Sequence, residues 1–141
     1  MTVLTAAKAI VAIQQHVESI ANNETQRFPE AASPGDAWVQ GDVYITLLCN
    51  LPEGCKRVES PSLQLAPGTT QGSRHCLDGL DGVEVFSLPQ PGMLDGPVLQ
   101  CRKERTIEHP EHGWVVLPPG IYGISYQQSM DELERAKRVL D

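Results

Sequence analysis

The stretch Trp114-Val115-Val116-Leu117-Pro118-Pro119-Gly120-Ile121-Tyr122-Gly123-Ile124-Ser125-Tyr126 decides the fold class. Two short runs rich in β-branched and aromatic residues flank Pro-Pro-Gly, a triplet that regular structure excludes from its interior. Each run is too short for a helix and reads as a strand. The same pattern repeats toward the N-terminus. Arg105–Glu108 and Val98–Arg102 are strand candidates, and Val83, Val85 and Ser87 alternate with Glu84, Phe86 and Leu88. Leu63–Ala66 is a short run halted by Pro67-Gly68, a turn signal. Trp38–Cys49 places Val43, Ile45 and Leu47 on one side and Tyr44, Thr46 and Leu48 on the other. Both sides are apolar, which predicts a central strand. About seven such runs, with turn signals at roughly 8–12-residue intervals, predict a mainly β domain. The expected architecture is a small antiparallel barrel or sandwich of roughly six to eight strands. The crossover helices of a parallel sheet are missing from this zone.

Outside that zone the periodicity changes. Val3, Ala6, Ile10, Ile13, Val17 and Ile20 recur at spacings of three and four, which predicts an N-terminal α-helix with a narrow apolar seam. Ser129 and Glu132 fit a capping box, and acids precede bases over 129–140, which predicts a C-terminal α-helix. The chain therefore divides into an N-terminal helix over 1–24, a Pro- and Gly-containing linker over 25–36, and a β domain with its closing helix over 37–141. An isolated helix of the first segment's length is marginal in water, so its seam needs a partner surface. Either its own β domain or other copies in a homo-oligomer would serve, and β-branched residues at both seam positions favour three or four strands.

The 141 residues suit one domain, and no uncharged apolar run reaches the ~20 residues that span a bilayer. Eleven basic against 18 acidic residues give a formal charge of −7, so neither nucleic acid nor an anionic membrane is an expected partner. The only tight basic cluster is Arg102, Lys103 and Arg105, interrupted by Glu104. Cys49, Cys55, Cys76 and Cys101 form no C-x-x-C pair, and no basic n-region opens the chain. Free thiols and a cytoplasmic location are expected.

The candidate chemistry is histidine chemistry. His109-Pro110-Glu111-His112 sets two imidazoles three residues apart around a carboxylate, and His75 lies in Gly72-Ser73-Arg74-His75-Cys76. Pro110 favours a turn, and a turn can bring His109 and His112 together. Three neutral imidazoles, or two with Glu111 as ligand or general base, suit Zn²⁺ or non-haem Fe(II) with open positions. The alternative is structural, with the imidazoles hydrogen-bonded to loop carbonyls. The spacing is not H-E-x-x-H on a helix, so a metalloprotease is excluded. His75 and Cys76 face opposite ways along a strand and cannot form a nucleophile–base pair. The loop Gly68–Ser73 lacks a phosphate-binding lysine.

Gln40-Gly41-Asp42-Val43, Gly72-Ser73-Arg74-His75, His109-Pro110-Glu111-His112 and Leu117-Pro118-Pro119-Gly120-Ile121-Tyr122 occur in that order. Over about residues 39–127 this resembles a family of small uncharacterised bacterial and phage β-domain proteins. Their pattern runs Q-G-D-V, G-H-x-H, H-x-E-H and L-P-x-G-x-Y. The resemblance implies no particular activity. It places His75, His109 and His112 on three of four recurrent histidine positions; Ser73 occupies the fourth, so at most a three-histidine site follows. Two functional classes are expected. One is a non-catalytic protein-interaction or oligomerising module. The other is a metal-ion-binding β domain, Zn or Fe, with hydrolase or oxygenase chemistry.

Overall fold

The computed structural model describes residues 25–127. Ten strands occur in the order β1 (Gln26–Arg27), β2 (Ala37–Gln40), β3 (Val43–Leu48), β4 (Lys56–Arg57), β5 (Cys76–Leu77), β6 (Val83–Ser87), β7 (Asp95–Cys101), β8 (Arg105–Glu108), β9 (Val115–Leu117) and β10 (Gly120–Tyr126). They form two sheets, ordered β1-β9-β8-β5 and β2-β3-β10-β7-β6-β4. Neither sheet closes on itself, so the barrel alternative is corrected to two open sheets around a shared core. The predicted N-terminal and C-terminal helices lie outside the described residues.

The core follows from alternation. Val43 and Ile45 of β3, Leu99 of β7 and Ile124 of β10 meet Leu77, Ile107, Val115 and Leu117 of the smaller sheet in one buried cluster. β3 lies between β2 and β10, so the segment apolar on both sides is interior. Its predicted length was too great: Gly41-Asp42 turns the chain, and β2 pairs back on β3 with Gln40 opposite Val43. Pro118-Pro119 separates β9 from β10, which belong to different sheets. The two apolar runs that predicted the fold class are therefore a sheet-to-sheet crossing and not a hairpin.

The crossing is clamped. The hydroxyl of fully buried Tyr122 donates to the Pro118 carbonyl at 2.6 Å, and its ring meets Phe28 edge-on at 5.3 Å between centroids. Tyr122→Phe keeps the ring and leaves the carbonyl unpaired. It is expected to lower the unfolding free energy by about 1–2 kcal/mol, measured by urea denaturation.

The short pieces β1, β4 and β5 were not expected from sequence. β1 pairs in parallel with β9, Gln26 opposite Val115. Conversely, Leu63–Ala66 contributes only an isolated bridge, Gln64 to Cys76.

Candidate functional site

Three chain segments meet at one end of the two sheets. The β2–β3 hairpin brings Gln40 and Asp42. A 3-10 turn over Gln71–Ser73 delivers His75 just before β5. The β8–β9 connection carries His109, Glu111 and His112. The three imidazoles do converge: ring centroids lie 4.3 Å apart for His75 and His109, 4.4 Å for His109 and His112, and 6.4 Å for His75 and His112.

Gln40 organises the cluster. Its side chain is fully buried, and its Nε2 donates to the Ile107 carbonyl at 2.9 Å and the Gly113 carbonyl at 2.8 Å. Both amide hydrogens are thus spent on β8 and the β8–β9 connection, which ties the smaller sheet to the larger one. The Oε1 can only accept, and it lies 2.8 Å from His75 Nδ1. His75 therefore carries hydrogen on Nδ1. Its Nε2 faces Asp42 Oδ1 at 3.0 Å. The His75 ring is fully buried, while the Asp42 side chain is 65% exposed. Burial, then the neighbouring His109, holds the His75 pKa down to about 4 against the opposing pull of Asp42.

His109 has the opposite tautomer and a main-chain task. Its Nε2 donates to the Gly72 carbonyl at 3.0 Å. Its Nδ1 accepts from the Glu111 and His112 amides at 3.0 and 3.1 Å. Both ring nitrogens are consumed in shaping the turn and holding it to the 70s loop. Of the expected three-histidine donor set, the rings gather, and both His109 nitrogens face main-chain groups. Glu111 is exposed on the turn, and its main-chain amide donates to His109 Nδ1. Among the described residues, no three His, Cys, Asp or Glu side chains are placed to hold one metal ion.

His112 is half-buried, and burial together with His109 lowers its pKa. Its ring lies nearly parallel to that of His75, at 14°, and against Gly41. A Cβ at Gly41 would stand 2.5 Å from His112 Cδ2, and the backbone there has φ +59°. Gly41→Ala is expected to cost about 1–2 kcal/mol and to shift the His112 ring resonances in an NMR spectrum.

Sequence reasoning missed Gln40 and Asp42 as site residues. The available signal was Gly41 between two polar residues inside an apolar strand pattern, which marks a hairpin tip. Elsewhere, the basic cluster is neutralised. Arg102 pairs with Glu84 at 2.7 Å, Lys103 with Asp81 at 2.6 Å and Arg105 with Asp78 at 3.7 Å. All four cysteines are unpaired, and burial pushes the Cys101 thiol up to about 11. Among the described residues, no helix is long and apolar enough to cross a membrane.

A family model described as a domain of unknown function, DUF8820, matches residues 39–127. The chain belongs to that family. The matched segment takes in Gln40, Asp42, His75, His109 and His112, so the whole cluster lies within the family's domain. No curated protein and no solved structure matches the chain.

Proposed function

We propose that the domain binds a divalent transition-metal ion between His75 Nε2 and Asp42 Oδ1. One observation supports this reading: two hydrogen-bond acceptors face each other at 3.0 Å. Gln40 fixes the hydrogen of neutral His75 on Nδ1, so Nε2 presents a lone pair to a carboxylate oxygen. Only a cation between them, a proton or a metal ion, relieves that opposition. Two ligands about 2.1 Å from a metal and at right angles to each other are about 3.0 Å apart. A buried imidazole whose other nitrogen donates to an acceptor is the usual arrangement of a metal-bound histidine. Gln40 supplies that acceptor.

Imidazole with carboxylate suits Zn²⁺ or Fe(II). His112 lies against Gly41, beside the pair, and lines the site. His109 and Glu111 serve as scaffold. The remaining coordination positions would hold water, and a bound metal would lower the pKa of that water toward about 7. Hydrolytic or oxidative chemistry on a small substrate at those positions is the corresponding enzymatic reading.

The test is calorimetric titration of untagged, chelator-treated protein with Zn²⁺, Mn²⁺, Co²⁺ and, without oxygen, Fe²⁺. Asp42→Asn and His75→Asn are each expected to weaken binding roughly tenfold or more. Asp42 is exposed, so its variant should fold normally. Absence of heat with every metal, or equal affinity in both variants, would overturn the reading and leave a proton as the shared cation.

A further inference from the structure

The larger sheet buries residues on both faces. One face carries Val43, Ile45, Leu99 and Ile124 into the inter-sheet core. The register places Val39 opposite Tyr44, Thr46 opposite Gly123, and Gly123 opposite Val98. Directly paired residues share a face, and these residues alternate with the core set, so they point away from it. Yet Val39, Thr46 and Val98 are only 1%, 0% and 2% exposed, and neither Val39 nor Val98 belongs to the inter-sheet cluster. A shallow apolar hollow on this side is lined by Leu48, Pro52, Leu88, Val98 and Gly123. Thr46 Oγ1 and Ser125 Oγ are buried here without a partner among the described residues. A sheet face open to water would not have this profile.

We infer that residues 3–20 of the same chain lie across this outer face, over Val39, Leu48 and Val98. The seam Val3, Ala6, Ile10, Ile13, Val17 and Ile20 is aliphatic throughout and carries no charge. As a helix it extends about 26 Å, against about 24 Å across six strands. The point of entry also fits. Phe28, just after β1, packs on Trp38 of β2 at 6.3 Å between ring centroids, and β2 is the edge strand of the larger sheet. Residues 21–25 can extend about 17 Å, enough to round that edge past the ~10 Å separating stacked sheets. The C-terminal segment, 129–140, would extend only about 18 Å as a helix.

Methyl-labelled full-length protein tests the placement. Cross-peaks from Ile10, Ile13 or Val17 methyls to those of Leu48 or Val98 are expected within a 15.4 kDa monomer. In a mixture of differently labelled chains, no cross-peak should join two molecules. Ile13→Asp with Val17→Asp should lower Tm by roughly 5 °C or more while the β-sheet circular dichroism persists. Intermolecular cross-peaks would assign the face to a second copy and overturn the inference. So would the absence of these cross-peaks together with an unchanged Tm.

Discussion

Gln40→Ala is expected to lower the unfolding free energy by roughly 3–5 kcal/mol. The side chain is fully buried and makes three hydrogen bonds. Its truncation strands the carbonyls of Ile107 in β8 and Gly113 in the β8–β9 connection, and the Nδ1–H of His75, each at about 1–3 kcal/mol. The cost falls on the seam between the sheets, where this one side chain joins Ile107, Gly113 and His75. Gln40→Glu separates acceptor from donor. It keeps an oxygen for His75 but turns a carboxylate toward two carbonyls, so it should be at least as damaging as alanine. Urea denaturation of both variants measures this, and a loss below about 1 kcal/mol in both would contradict the clasp.

Acid is expected to destabilise the metal-free protein by roughly 3 kcal/mol through His75 alone. An unfolded chain's imidazole takes up a proton near pH 6.5, whereas folded His75 refuses one until about pH 4. Between those values the unfolded state binds more protons, so stability falls as pH falls. Above about 6.5 both states are neutral at this position and the slope vanishes. His112, also held below its ordinary value, acts in the same direction. The attraction of Asp42 opposes the shift, but burial outweighs it. The denaturation midpoint measured from about pH 7.5 down to about pH 4.5 should drop steadily below about 6.5. In His75→Asn this part of the slope should disappear. An unchanged slope would place the acid sensitivity elsewhere.

Strand identity was readable wherever alternation ran for four residues or more. β6, β7, β8 and β10 fall within a few residues of their predicted places, because apolar side chains at period two must all face one core. Two-residue strands such as β1 and β5 have no period to read, and tertiary pairing alone defines them. Gln40-Gly41-Asp42-Val43 was legible as a motif but not as a hairpin tip, because Gly41-Asp42 interrupts an apolar run without proline or an Asn-Gly step. That omission hid Gln40 and Asp42. His75, His109 and His112 were legible as residue types, and their convergence is real. Their roles were not legible, because a tautomer depends on what faces each nitrogen. Gln40 lies 35 residues from His75 along the chain, and no local pattern links them.

The place of β10 has a consequence for biosynthesis. Gly120–Tyr126 is the last described strand to leave the ribosome, yet it fills the gap between β3 and β7. Until it emerges, both neighbours present unpaired backbone edges, the surfaces that recruit foreign strands. β1 likewise waits for β9, which emerges just before β10. Translation that stalls before about residue 120 would thus leave a nascent chain that is sticky and unable to finish either sheet, a natural client for chaperones that shield exposed strands.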